Sequence, residues 1–244
     1  MMTRSVLLLD VRTRRVIAGE GNSNILALPG STLKPFVLSA LLRTRRLSAG
    51  EAYVCPGRLR IADRQLNCSH PRLDTPLRPD TALAYSCNCF VAHVAERFKA
   101  AELAGELRRF GFGLHGSLRR CMRLDSQQLQ ALGEDGISTT LAELAMAYVL
   151  LSQSAPPPVL LGLEEAVEWG TAQRARVERE TVAGKTGSSF SPAGEPVAWF
   201  AGFFPSRRAE VVIAVMLHGR SGGADAAPVA GEILKAYRAR RLSR

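Results

Sequence analysis

Apolar residues run along this chain in two rhythms, and the rhythm changes with position. Near the start, Ser5 to Val11 is rich in β-forming residues, and the chain returns after Arg12-Thr13 through Val16-Ile17-Ala18, which predicts an antiparallel hairpin. A polar loop from Gly19 to Leu28 leads to a Pro29-Gly30 turn, and then Phe36-Val37-Leu38 through Leu41-Leu42 takes up helical spacing. The helix so predicted starts near Ser31 and ends near Arg46. Ala49 to Pro79 is rich in Pro, Arg and Cys and shows little period, so an irregular segment with a small hairpin at Tyr53 to Leu66 is expected. Pro79-Asp80 opens a helix predicted to run through Phe98, with Leu83, Phe90, Val91, Val94 and Ala95 on its apolar side. A further helix covers about Ala101 to Phe110 and stops at Gly111-Phe112-Gly113. Thr140 to Ser152 is almost wholly apolar along Leu141, Leu144, Ala145, Tyr148 and Leu151, the mark of a buried helix. Pro156-Pro157-Pro158 breaks it, and a shorter helix is expected from Leu161 to Trp169. The last third turns to strands at Thr181–Ser188, Ala198–Phe203 and Val211–Leu217, closed by a helix from Ala224 to Arg240.

Strands first and last with helices between them predict an α+β fold. The N- and C-terminal segments are expected to form one antiparallel sheet flanked by helices, with a mostly helical middle lobe. This is a single domain over residues 1–244, its sheet lobe about 1–28 and 176–244 and its helical lobe about 29–175. A content of 46% hydrophobic and 22% charged residues is ordinary for a globular chain. No window holds the ~20 apolar residues that a membrane span needs, and Val6-Leu7-Leu8-Leu9 is too short for a signal sequence, so neither anchor nor secretion signal is expected within it. The net charge of +10 comes from arginine clusters at Arg12–Arg15, Arg43–Arg46 and Arg238–Arg241. Most of it reads as solvated surface, with attraction to an anionic cell-wall polymer as the next reading. Aromatic-interleaved basic stretches and zinc-finger spacing are both missing, so no nucleic-acid partner is expected.

Three short patterns carry candidate chemistry. Ser31 and Lys34 stand three residues apart at the predicted helix start, where a neutral amine can take the proton of a serine hydroxyl. Taken alone, the pair reads more simply as a helix cap and a solvated first-turn cation. Ser86-Cys87-Asn88 lies inside a predicted apolar helix, where two polar side chains are costly unless they face a site. Lys185-Thr186-Gly187-Ser188 lies on a predicted strand, and Gly187 lets a ligand backbone approach closely. The five cysteines show no metal-ligand spacing: Cys87 and Cys89 are too close together, and among Cys55, Cys68 and Cys121 only His70 stands nearby. No metal and no cofactor are therefore expected. Cys55 and Cys68 flank the predicted hairpin and could pair in an oxidising compartment.

Taken together in this order, Ser31-x-x-Lys34, Ser86-x-Asn88 and Lys185-Thr186-Gly187 are the signature set of the active-site serine penicillin-recognising enzymes. The chain resembles the transpeptidase domain of penicillin-binding proteins over nearly its whole length. Leu8-Leu9-Asp10 with Val16-Ile17-Ala18 resembles the family's opening hairpin, and Pro29 to Phe36 its nucleophile segment. Ala84 to Asn88, Phe110-Gly111-Phe112-Gly113, Gly136-Ile137-Ser138, Gly184 to Ser189 and Ala198 to Phe203 extend the likeness. The loop from Gly19 to Leu28 is short for the family, and the compact interval from Ser86 to Lys185 implies trimmed substrate-groove loops.

The resemblance implies that Ser31 is the acylated nucleophile and Lys34 its base. Ser86 would relay a proton toward the leaving amine, and Asn88 would hold Lys34 and the substrate amide. Lys185 would keep Lys34 neutral and steer protons with Ser86. Thr186 and Ser188 hydroxyls would bind the substrate's terminal carboxylate, and the backbone N–H groups of Ser31 and Ser188 would form an oxyanion hole. The implied activity is that of a DD-transpeptidase cross-linking peptidoglycan through a serine acyl-enzyme. Its partners would be D-Ala-D-Ala stem peptides, β-lactams, and a cell-wall or membrane protein, and its location would be periplasmic or otherwise extracytoplasmic. The same motifs also suit a DD-carboxypeptidase, a serine β-lactamase, or a non-catalytic β-lactam or muropeptide sensor or scaffold. Class A β-lactamases add a glutamate for deacylation. None of Glu96, Glu102, Glu106, Glu134, Glu143, Glu164, Glu165, Glu168, Glu178 and Glu180 sits in a stretch resembling that glutamate loop.

Overall fold

A computed structural model describes residues 4–113 and 123–243, so Cys121 lies outside the described residues. The opening hairpin forms from β1 (Ser5–Asp10) and β2 (Val16–Glu20), and the late strands are β5 (Ala183–Phe190), β6 (Pro196–Phe204) and β7 (Val211–His218). They make one five-stranded antiparallel sheet in the order β2-β1-β7-β6-β5. The two ends of the chain meet where β1 pairs with β7, with Val6 opposite Val215 and Leu8 opposite Ile213.

Both faces of the inner strands are covered, which explains their nearly unbroken apolar runs. Because side chains alternate across a strand, Trp199, Ala201 and Phe203 of β6 face one core while Ala198, Phe200 and Phe204 face the other. The first core includes α1 (Lys34–Arg43), α3 (Asn88–Ala95) and α6 (Leu141–Ser154). The second is closed by α8 (Ala227–Leu242) through Ala227, Ala230 and Leu234. The helix α6 is buried as its composition predicts, and a reciprocal cap between Thr140 and Glu143 starts it.

Three elements differ from expectation. The helix expected from Pro79 through Phe98 is two helices, α2 (Pro79–Ala84) and α3, parted at Tyr85-Ser86-Cys87. The helix α7 spans Pro157–Glu168 and takes two of the three prolines into its first turn, where a missing N–H costs nothing. The helix α5 (Leu124–Ala131) has too weak an apolar period to announce itself, and it is held by Gln127 Nε2 donating to the carbonyls of Ala95 (2.6 Å) and Phe98 (3.0 Å). The remaining pieces are the short pair β3 (Arg60–Ile61) and β4 (Arg64–Gln65), inside the expected hairpin, and α4 (Glu102–Arg109).

Candidate active site

Ser31 sits on a single 3-10 turn, Gly30–Leu33, that runs directly into α1. This turn lies against β5 with almost no space between. Gly30 has φ +53°, and a Cβ there would stand 2.7 Å from the Ser188 carbonyl oxygen. A Cβ on Gly187 would stand 2.8 Å from the Pro29 carbonyl oxygen and 2.9 Å from the Thr32 methyl. The close approach at Gly187 expected for a ligand is thus used first by the turn that carries Ser31. Three side chains clamp that turn from the core. Tyr148 Oη donates to the Thr32 carbonyl (3.0 Å), Trp199 Nε1 to the Leu28 carbonyl (3.0 Å), and Ser189 Oγ to the same Leu28 oxygen (2.6 Å).

Lys34 is fully buried, which rules out the reading of a solvated first-turn cation. Its Nζ donates to the Ser86 carbonyl (2.7 Å) and to Asn88 Oδ1 (2.5 Å), and it lies 3.2 Å from Ser86 Oγ. The Asn88 orientation is set from the other side, since its Nδ2 donates to the Leu66 carbonyl (3.0 Å). A carbonyl and an amide oxygen can only accept, so two N–H groups of Lys34 are committed. The third position, toward Ser86 Oγ, is where a neutral amine can present its lone pair to a hydroxyl proton.

The break between α2 and α3 makes this contact available. In an unbroken helix the Ser86 carbonyl would accept from the N–H of Phe90. Here that N–H goes to Cys87 Sγ (3.3 Å), which caps α3, and Ser86 takes the left-handed φ of 57°. A non-glycine residue held there stores strain of a kind found at functional sites. The second motif therefore lies at a helix break and not in a helix interior.

Lys185 is also fully buried, with its Nζ 3.1 Å from the Thr186 carbonyl. Burial pushes it well below the ordinary lysine range, and the like charge of Lys34 adds to this. Burial likewise lowers Lys34 to about 8, against the opposing pull of the nearby cysteines and Glu134. Both amines are thus brought toward the neutral form at moderate pH.

These elements enclose a cleft of about 450 Å³ lined by Ser31, Ser86, Asn88, Thr186, Gly187 and Ser188. Hence the three motifs converge as a set, on a turn, a helix break and a strand. Thr186 Oγ1 donates to Thr171 Oγ1 (2.9 Å), and Ser188 Oγ accepts from the Gly222 N–H (3.1 Å). The same cleft is lined by Ser69, Glu134, Thr171, Arg220, Ser221 and Gly223, which the sequence motifs did not single out. Among the ten glutamates weighed above, only Glu134 lines it, with Oε2 held 2.8 Å from Arg64. A Cβ on its neighbour Gly133 would stand 2.2 Å from the Gly30 carbonyl oxygen, so this loop abuts the turn that carries Ser31.

The cysteines depart from expectation. Local spacing did not group them, yet Cys55, Cys68, His70 and Cys87 bring their ligand atoms within 4.8 Å of one another. They come from two separate stretches that meet only in the folded chain. Cys55 and Cys68 are unpaired, with sulfurs 3.7 Å apart.

The fold is thus a five-stranded antiparallel sheet with helices on both faces and a serine–lysine cleft at the edge strand β5. The chain belongs to the penicillin-binding protein transpeptidase domain family, whose sequence profile matches residues 5–154 and 158–235. Among solved structures it is similar to the apo transpeptidase domain of Burkholderia pseudomallei penicillin-binding protein 3, at 22% identity and a TM-score of 0.84, over 97% of this chain and 88% of that one. It is also similar to Pseudomonas aeruginosa PBP2, solved in complex with WCK 5153, at 19% identity and a TM-score of 0.82, over 97% of this chain and 71% of that one. Comparison with curated protein sequences returns no significant match.

Proposed function

We propose that this chain is a single transpeptidase-like domain that forms a serine acyl-enzyme with D-Ala-D-Ala stem peptides and passes the acyl group to an amine of a neighbouring strand. One observation carries this reading. Lys34 is fully buried, lowered to about 8, and bonded to both polar residues of the second motif, in a cleft that Ser31 and the Lys185 strand line. An amine in that state is a usable base, which a solvated lysine is not.

The proposed steps assign each residue the role that the family resemblance implies. Ser31 Oγ attacks the carbonyl carbon of the penultimate D-Ala and gives its proton to Lys34 Nζ. The tetrahedral oxyanion is held by the N–H groups of Ser31 and Ser188. The C–N bond breaks, and the departing D-Ala nitrogen takes a proton from Ser86 Oγ, which Lys34 restores over the 3.2 Å contact. The acceptor amine then attacks the ester, and Ser31 leaves with the proton returned through Lys34. Thr186 and Ser188 hydroxyls bind the terminal carboxylate, with the exposed Arg220 guanidinium at the cleft adding charge. A β-lactam would acylate Ser31 by the same attack. Stem peptides lie outside the cytoplasm, so this reading makes the domain extracytoplasmic; no helix among the described residues is long and apolar enough to cross a membrane.

Glu134 supports a second reading, hydrolysis, because a carboxylate lining the cleft can activate water against the ester. This would make the chain a DD-carboxypeptidase or β-lactamase. The test is intact-mass analysis after incubation with a fluorescent penicillin. A single adduct that disappears in Ser31→Ala is expected, and a labelled Ser31→Ala protein would overturn the assignment. Release of D-Ala from a stem peptide then separates an acyl-transfer enzyme from a sensor that only binds.

A further inference from the structure

The four-residue cluster beside the second motif has the geometry of a metal centre. Three sulfurs form a near-equilateral triangle, with Cys55–Cys68 at 3.7 Å, Cys68–Cys87 at 3.6 Å and Cys55–Cys87 at 3.4 Å. His70 Nε2 lies 3.6 Å from Cys55 Sγ. A tetrahedral zinc with Zn–S of about 2.3 Å and Zn–N of about 2.05 Å requires edges of roughly 3.8 Å between sulfurs and roughly 3.5 Å from sulfur to nitrogen. A disulfide would draw two sulfurs to about 2.05 Å and break the triangle.

The surroundings of each ligand point the same way. His70 Nδ1 lies 2.8 Å from the Pro71 carbonyl and can only donate to it, which leaves Nε2 as the bare acceptor facing the thiols. Backbone N–H groups aim at all three sulfurs: Gly57 at Cys55 (3.3 Å), Cys89 at Cys68 (3.5 Å) and Phe90 at Cys87 (3.3 Å). Three sulfurs and an imidazole nitrogen so converged form a donor set that one soft divalent cation can fill. Cys87 is fixed in place as the N-cap of α3. Cys89 is the neighbour left over. Its Sγ touches Cys68 (3.5 Å) and the Arg58 carbonyl (3.6 Å), outside the group of four.

We propose that Cys55, Cys68, His70 and Cys87 bind one divalent ion of the zinc class in a closed tetrahedral site. Binding replaces three thiol protons, released to solvent, with the ion. Four protein ligands leave no open position, so the ion is structural and takes no part in acyl transfer. Its effect on the reaction is positional. Cys87 stands between Ser86 and Asn88, and Asn88 donates to the Leu66 carbonyl of the segment that carries Cys55, Cys68 and His70. The ion therefore pins that segment to the helix break whose carbonyl and amide oxygens hold Lys34.

The experiment uses the full chain purified under reducing conditions with zinc supplied, and reads metal content by elemental mass spectrometry. One zinc per chain is expected. Exchange for Co²⁺ should bring thiolate charge-transfer absorption in the near ultraviolet and tetrahedral ligand-field bands in the visible. His70→Ala should weaken binding by roughly 100-fold, while Cys89→Ser keeps one ion. Should His70→Ala fail to fold, the unaltered chain still decides the matter. Three thiols should be slow toward a thiol reagent with metal bound and fast after a chelator. Less than about a tenth of an ion per chain, or a Cys55–Cys68 disulfide under these conditions, would overturn the site. Loss of the ion in Cys89→Ser with retention in His70→Ala would overturn the ligand assignment. None of these readouts depends on acylation at Ser31.

Discussion

If Lys34 is the base for Ser31, the pH profile of acylation should report its titration. Burial lowers it from the ordinary 10.5 to about 8. At pH 7 a group titrating at about 8 is neutral in about one molecule in ten, against about one in three thousand at 10.5. The gain is roughly 300-fold in the competent form, equivalent to about 3 kcal/mol of differential solvation. Between pH 6.5 and pH 9 the neutral fraction grows about 30-fold, so the acylation rate should climb tenfold per pH unit at first and level off above about 8. The assay is stopped-flow labelling by a fluorescent penicillin at concentrations below saturation. A flat profile from pH 6.5 to 9, or a midpoint near 10.5, would refute the argument. Lys34→Arg should be inactive throughout, because a guanidinium keeps its proton. The same shift predicts a stability trend of known sign. The unfolded lysine holds its proton up to 10.5 while the folded one releases it near 8, so stability rises with pH between those values. Below pH 8 the full penalty of about 3 kcal/mol applies, and urea unfolding at pH 7.5 and 10 measures it.

Other substitutions probe how the site is held. Gly187→Ala places a Cβ 2.8 Å from the Pro29 oxygen, so β5 must move from the turn that carries Ser31. A loss of about 1–3 kcal/mol in stability is expected, with labelling slowed tenfold or more; unchanged labelling would show that the close contact is dispensable. Tyr148→Phe removes the hydroxyl that donates to the Thr32 carbonyl and leaves a buried acceptor unpaired, costing about 1–3 kcal/mol in chemical denaturation. Glu134→Gln tests the hydrolytic reading. A penicilloyl adduct that already persists for many minutes in the unaltered chain and is not prolonged by this change supports transpeptidation. Sustained turnover of a chromogenic cephalosporin that Glu134→Gln abolishes supports hydrolysis.

Sequence alone determined the α+β order of elements, the sheet built from both chain ends, and the three motifs with the residue types their chemistry needs. It could do so because strand alternation, helical period and motif spacing are local properties, written over a few consecutive residues. Tertiary structure decided what local spacing cannot express. Pro79 through Phe98 has helical period on both sides of Ser86, and only the pull of Lys34 on its carbonyl, with Cys87 capping α3, makes the break visible. Glu134 reaches the cleft because its loop packs on Gly30, a contact across about a hundred residues. Cys55, Cys68 and His70 meet Cys87 only when the irregular segment docks on the second motif, so their spacing along the chain carried no sign of a cluster. The state of Lys34 was decided in the same way: a lysine near a helix start is ordinarily solvated, and complete burial, a property of the packed core alone, lowers it to about 8, as the proposed role of base requires.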